Sequence, residues 1–243
     1  MIELYSGTPG SGKSLDCAQI ITNRLRAKGC VTIGNFPIEK QNVRGKIRGH
    51  FLYIDNEFLT VDRLVRFSLY YSAYLGRGLK EDEILIIIDE AQLLFGAREW
   101  NTAGRKEWLW FFEQHRKLGY HVILVAQFDR MLDRNVRGVL EYERIHRKVS
   151  NVGKAGKLIK LFCFGDVFVS VRVWYAMKMT LDSNFFRVNK KLYSIYDTKF
   201  LFNNMACVDD GGIWGDPSDT HGEGGVQNDG SGMDGDRLHE SLD

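Results

Sequence analysis

The apolar positions change period along this chain, and each change marks an element. Ile2–Tyr5 alternates like a short strand and runs into a glycine-rich loop. Ser14–Ala27 places Leu15, Ala18, Ile21 and Leu25 on one helical stripe. Cys30–Ile33 reads as a second strand, ended by Gly34-Asn35-Phe36-Pro37, and Arg44–Ile54 as a loop or a short strand pair. Thr60-Val-Asp-Arg opens a helix through Tyr74 that Gly76 and Gly78 close. Ile84–Asp89 is a continuous β-branched run, the mark of a strand buried on both faces of a parallel sheet. A helix over Glu107–Leu118 stops at Gly119, and His121–Gln127 is another apolar strand. Strands separated by helical patterns predict an α/β fold with a mostly parallel, doubly wound sheet.

After Asn151 the pattern changes. Leu158–Thr180 is rich in aromatic and β-branched residues, with Gly165-Asp166 near its middle. This predicts an antiparallel hairpin that extends one edge of the sheet. Residues 209–243 hold nine glycines among acids and have no apolar period, the composition of a disordered tail. The expected organisation is one domain over residues 1–205 and an acidic, Gly-rich tail over 206–243.

Composition is globular, with 44% hydrophobic and 26% charged residues. The formal charge of +2 hides an asymmetry. From Asp209 onward there are ten acids and one base, Arg237, whereas residues 1–208 carry 32 bases against 21 acids. A basic body suggests a polyanionic partner, nucleic acid or an anionic membrane surface; solvated surface charge is the plainer alternative. Cys17, Cys30, Cys163 and Cys207 show no paired spacing, which fits structural thiols in a reducing compartment. No run reaches the ~18 apolar residues of a membrane helix, and MIELYSG has no signal-peptide character. The expected address is the cytoplasm.

The chemistry begins at Gly7-Thr8-Pro9-Gly10-Ser11-Gly12-Lys13-Ser14, which fits G-x-x-x-x-G-K-[ST] at every fixed position. In such a phosphate loop (P-loop), successive backbone N–H groups turn toward phosphate oxygens and the following helix adds its positive end. Lys13 would reach the β/γ-phosphates and the Ser14 hydroxyl would ligate Mg²⁺. Asp89, at the tip of the buried strand, stands where a Mg²⁺-associated carboxylate belongs. Glu90 beside it could orient an attacking water and take its proton, which favours hydrolysis over small-molecule phosphorylation. The competing reading of Asp89-Glu90 is a pair of helix-capping acids. Gln127, ending another strand, could hydrogen-bond the γ-phosphate or the attacking water, although a lone Gln at a strand end would mean little. No GTPase base-reading N/T-K-x-D follows, so ATP is the expected nucleotide. Arg98, nine residues beyond Asp89, and Arg130, Arg134 and Arg137 are candidates to face a neighbouring subunit's nucleotide; surface ion pairing competes for each. Arg144, His146, Arg147, Lys148, Lys154, Lys157 and Lys160 form a basic stretch that could touch nucleic-acid phosphates. The six histidines show no metal-ligand spacing, so no metal beyond Mg²⁺ is expected.

Together, GTPGSGKS, Gly34-Asn35-Phe-Pro, Ile86–Arg98 (IIIDEAQLLFGAR) and Trp110–Tyr120 followed by a strand and Gln127 resemble the zonula occludens toxin (Zot)-like family, which includes the gene I assembly proteins of filamentous phages. The resemblance covers roughly residues 1–200, to the Tyr193–Thr198 ending. It implies an ATPase related to the FtsK/HerA group, with the Gln127 strand between the P-loop strand and the Asp89 strand. It also implies a homo-oligomer that spends ATP on virion assembly and extrusion at the cytoplasmic face of the host inner membrane. Phage coat and assembly proteins are the implied partners, with single-stranded phage DNA as a further candidate. The chain departs from the family pattern at Lys117 and His121. It also ends in the Gly/Asp tail rather than a membrane helix, so attachment through a partner is expected and a toxin is not. A DNA-translocating or packaging ATPase and an ATP-binding interaction module with little turnover remain alternatives.

Overall fold

In the computed structural model, eight strands form one sheet in the order β3-β2-β4-β5-β1-β6-β7-β8. The structure describes residues 1–96, 104–151, 166–187, 192, 194 and 195. In chain order the elements are β1 (Ile2–Ser6), α1 (Lys13–Arg26), β2 (Val31–Gly34), β3 (His50–Tyr53), α2 (Val61–Leu75), β4 (Ile84–Ile88), α3 (Gln92–Phe95), α4 (Arg105–Gln114), β5 (Tyr120–Val125), α5 (Arg134–Gly138), β6 (Tyr142–Lys148), β7 (Val167–Trp174) and β8 (Met179–Arg187). The strands from β3 through β6 are mutually parallel, and β7 and β8 continue the sheet antiparallel. Met1–Phe200 forms one compact unit; Leu201–Asp243, which includes the expected tail, lies outside the described residues.

The two faces of β4 show why its apolar run is unbroken. Ile84, Ile86 and Ile88 pack with Leu64 of α2, Phe95 of α3 and Phe111 of α4. Leu85 and Ile87 pack with Leu15, Ala18 and Ile21 of α1 on the other side. Every residue of β4 is at most 1% exposed, so an element with period 2 has no position left for a polar residue. Helices on both faces give the doubly wound arrangement the pattern predicts.

The helix ends follow local chemistry. Thr60 caps α2 by accepting a hydrogen bond from the Arg63 N–H (3.4 Å), and Gly76 ends it in the left-handed region at φ 63°. Arg44–Ile54 resolves into a loop and β3, which pairs parallel with β2 as an edge strand among the described residues. β7 and β8 extend the sheet as an antiparallel hairpin whose turn lies at residues 175–178. Residues 158–165, and with them the expected turn at Gly165, lie outside the described residues. Asp166 precedes β7, where it pairs with Lys148 (2.7 Å). Lys178 takes φ 52° in the turn, a place where glycine is the expected residue. Tyr142–Lys148, read from the sequence only as a basic stretch, is strand β6 beside β1.

No helix among the described residues is long and apolar enough to cross a membrane.

Candidate functional site

Three parallel strands, β4, β5 and β1, lie side by side and end at the same edge. The P-loop follows β1, Asp89-Glu90 follows β4, and Gln127 follows β5. The Gln127 strand lies between the other two, the order expected from the resemblance.

The loop is shaped by what packs behind it. At Gly7, φ is 144° and a Cβ would sit 2.5 Å from the His146 carbonyl oxygen. At Gly12, φ is 101° and a Cβ would sit 2.7 Å from the Phe168 ring. Only glycine fits at either place. The Gly7 N–H donates to the Gln127 carbonyl (3.0 Å), the Ser11 N–H donates to the Thr8 carbonyl (3.1 Å), and α1 starts at once at Lys13. The Gly7 and Ser11 N–H groups thus fix the curl of the loop, and the start of α1 follows it directly.

Lys13 donates from Nζ to the Gly7 carbonyl (2.6 Å), across the mouth of the loop. Burial draws its ammonium pKa below the ordinary 10.5, while Glu90 and Asp89 hold it up. The lysine thus feels both carboxylates, and strand-distant groups meet electrostatically at one point. The buried Ser11 hydroxyl has no hydrogen-bond partner. A half-buried cation with one carbonyl acceptor and an unpaired buried hydroxyl are what a phosphate chain would complete. The residues therefore fit a nucleotide's phosphates. Ser14 and Asp89 supply oxygen ligands of the kind Mg²⁺ takes, one or two from protein with the rest from phosphate and water.

The Asp89-Glu90 tip is held by side chains. Asn35, just beyond β2, accepts the Asp89 N–H at Oδ1 (2.7 Å) and donates from Nδ2 to the Asp89 carbonyl (2.9 Å). Pro37 cannot donate to a ladder, and this amide continues the pairing for one step past the strand. The Asn35 Nδ2 also donates to Asn56 Oδ1 (2.9 Å). The Glu90 N–H donates to Asp89 Oδ1 (2.9 Å), and the Ala91 N–H donates to the Val125 carbonyl of β5 (2.9 Å). Between these, Glu90 sits at φ 46°, its exposed carboxylate accepting from Gln92 Nε2. Asp89-Glu90 is therefore a fixed turn and not a helix cap; the caps of α3 and α4 are Ala91 and Gly104.

Gln127 lines a cleft of about 300 Å³ together with Ser6, Gly7, Thr8, Glu143 and Arg147. Arg98 lies outside the described residues. Arg130 stacks over Phe128 (4.9 Å), Arg134 is exposed on α5, and Arg137 is half-buried. The basic stretch divides. Arg147 faces solvent, but Arg144 lies 4.0 Å from the buried Glu3, and the His146 side chain is fully buried against Asp16. Those two are directed inward and are not free for phosphates, a correction to the sequence reading. Lys154, Lys157 and Lys160 lie outside the described residues. His115 and Arg116 gather at Glu141, ahead of β6, and the Glu141 carboxylate also accepts the Ile2 N–H (3.1 Å). They pin the amino ends of β1 and β6, the edge opposite the P-loop.

Sequence reasoning did not assign Asn35, Asp16 or His146 a part in the site. An amide at the end of a strand is a usable signal only when the neighbouring strand is known, and that neighbour is set by topology.

The strand order and the loop are those of a P-loop NTPase. A solved ATPase domain superposes with a TM-score of 0.52 at 9% identity, over 80% of this chain and 84% of that one. The N-terminal domain of zonular occludens toxin from Neisseria meningitidis gives a TM-score of 0.47 at 19% identity, over 81% of this chain and 98% of that domain. The Gene 1 protein of Enterobacteria phage I2-2 is 26% identical over 220 residues, which are 84% of this chain and 58% of that protein. The chain thus spans little more than half the length of that relative. The family described as Zonular occludens toxin (Zot) matches residues 1–197, and this chain belongs to it.

Proposed function

We propose that the chain is an ATP-hydrolysing motor of phage morphogenesis that acts in virion assembly and extrusion at the cytoplasmic face of the host inner membrane. The observation that supports hydrolysis is that β1, β5 and β4 are adjacent and parallel, so that the P-loop following β1 and Asp89-Glu90 following β4 leave the sheet at one edge. The Gene 1 relatives support the phage setting.

The glycine-shaped loop and the α1 N-terminus bind the triphosphate. Lys13 exchanges the Gly7 carbonyl for phosphate oxygens, so its charge is presented without waiting for solvent to reorganise. Ser14 and Asp89 would hold Mg²⁺, which would supply positive charge to the triphosphate. Glu90 accepts a proton from the water that attacks the γ-phosphorus as the bond to the β,γ-bridging oxygen breaks. Its backbone N–H is held by Asp89 Oδ1 and its carboxylate by Gln92 Nε2. Gln127 reports the γ-phosphate through the Gly7–Gln127 backbone link. The working form is a homo-oligomer in which Arg98 serves the neighbouring subunit's nucleotide. Coat and assembly proteins are its cargo, and a partner provides attachment to the membrane.

The test is phosphate release from Mg·ATP alongside binding of a fluorescent ATP analogue. Lys13→Ala is expected to lose both. Glu90→Gln is expected to keep binding while turnover falls by about a hundredfold or more. Turnover in Glu90→Gln equal to that of the unaltered chain would overturn the reading of a hydrolytic motor.

A further inference from the structure

We propose that the loop of residues 44–48, seated on the end of α1, is a docking surface for an anionic phospholipid membrane. The inference deepens the membrane setting proposed above, adding a contact of the chain's own to the attachment a partner provides. It needs neither the nucleotide nor its hydrolysis.

Between Arg24 and Arg48 the chain carries seven bases and one acid, Glu39. The fold gathers most of these bases at one place. The Arg48 and Gly49 N–H groups both donate to the Leu25 carbonyl of α1 (2.8 and 2.9 Å), and Arg26 Nε donates to the Arg44 carbonyl (2.7 Å). A Cβ at Gly49 would sit 2.4 Å from the Arg24 carbonyl oxygen, so the loop lies directly against the end of the helix. Arg26, Lys28, Arg44, Lys46 and Arg48 are all exposed there. Arg24 turns inward instead, donating to the Val31 and Glu83 carbonyls (3.0 and 2.7 Å).

What the five exposed cations lack is a partner of opposite charge. Exposed arginines elsewhere have one: Arg66 pairs with Asp62, Arg77 with Glu83 and Arg116 with Glu141. Among the described residues, none of the five is in an ion pair, and Glu39 accepts from Gln41 Nε2 (2.6 Å). A helix C-terminus accommodates a cation in its last turn, which accounts for Arg26; it does not call for three more on the loop. Like charges gathered without acids favour a polyanion.

Two features choose a membrane over nucleic acid. Ile47 stands between Lys46 and Arg48 and is 39% exposed, an aliphatic side chain able to enter the headgroup boundary while its neighbours meet lipid phosphates. Phe36, the one aromatic residue between Arg24 and Arg48, is buried, so the stretch offers no ring on which bases could stack. The position also suits a motor. Helix α1 starts at the P-loop and ends at this surface, 14 residues or about 20 Å further on, so a bound membrane leaves the nucleotide edge open.

The test is co-sedimentation of the full chain with vesicles of phosphatidylglycerol and phosphatidylcholine, and with vesicles of phosphatidylcholine alone. Binding is expected to the anionic vesicles only, and to weaken as salt rises. Lys46→Gln combined with Arg48→Gln is expected to lower the partition coefficient about 25-fold, about fivefold for each cation. Ile47→Ser is expected to lower it about threefold. Both variants should unfold at the temperature of the unaltered chain and bind a fluorescent Mg·ATP analogue as it does. No binding to the anionic vesicles, equal binding to both kinds, or a partition that the Lys46 and Arg48 substitutions leave unmoved would each overturn the inference. So would an oligonucleotide that displaces the chain from vesicles and binds more tightly through Lys46 and Arg48, which would assign the surface to nucleic acid. Vesicle binding lost with Mg·ATP turnover intact removes this inference and leaves the motor. Turnover absent with vesicle binding intact removes the motor and leaves this surface.

Discussion

Strands β4 and β6 flank the β5–β1 pair on opposite sides, yet they are held by different physics. In β4, five aliphatic side chains are sealed between helices, and no side chain needs a particular neighbour. In β6, Tyr-Glu-Arg-Ile-His-Arg-Lys, the polar side chains have particular partners: Glu143 accepts from Ser6 Oγ, Arg144 shares Glu3 with His121 and Arg172, His146 faces Asp16, and Lys148 pairs with Asp166. A strand of the first kind tolerates apolar exchanges that keep its volume. A strand of the second kind is sensitive to the loss of a partner, the more so the deeper the charge left behind is buried. The nucleotide edge draws on both: β4 holds the carboxylates on a stiff apolar stem, and β6 backs the loop with charge.

The comparison can be broken at three places. Ile86→Ala empties the middle of β4 and is expected to cost about 3 kcal/mol, read as a lower urea midpoint with an unchanged slope; a cost below about 1 kcal/mol would mean that β4 is not the stiff stem. Asn35→Ala leaves the Asp89 N–H and carbonyl without their partner and is expected to cost about 2 kcal/mol. It should also lower turnover more than nucleotide affinity, and unaltered turnover would show that the Asp89 tip holds its shape unaided.

The smallest effect belongs to the charged side of the sheet. Burial alone would raise the Glu3 pKa, but His121, Arg144 and Arg172 outweigh it and hold the carboxyl below the ordinary 4.5. A depressed carboxylate stabilises the fold at pH above 4.5, and that contribution fades as pH falls through the lower folded-state value. Glu3→Gln should therefore cost about 1 kcal/mol at pH 7, a figure kept low because its basic partners are partly exposed. The two proteins should converge in stability once pH has fallen below that lowered value. A gap that is constant with pH would point to packing rather than charge.

These differences also decide what could be read from the sequence. The β4 run, the P-loop and the Asp89-Glu90 tip were legible because each carries its signal within a few consecutive residues. Strand β6 was not, because its charges find partners about 130 to 140 positions away, as in Asp16–His146 and Glu3–Arg144; read locally, buried partners look like solvated surface. The antiparallel extension was legible in its aromatic and β-branched residues, but the β7–β8 turn carries no glycine to mark it and puts Lys178 in the left-handed region. Asn35 was legible as part of a family pattern, but its clasp on the Asp89 peptide needed β2 and β4 to be adjacent.

Glu90 bears on any attempt to make this protein hardier. Its backbone occupies φ 46°, a setting that disfavours most side chains by about 1 kcal/mol and that glycine adopts without penalty. A survey for heat-tolerant variants would therefore tend to replace the residue assigned to proton abstraction. Robustness and turnover compete at that one peptide, and a gain in melting temperature there should be checked against the phosphate it no longer releases.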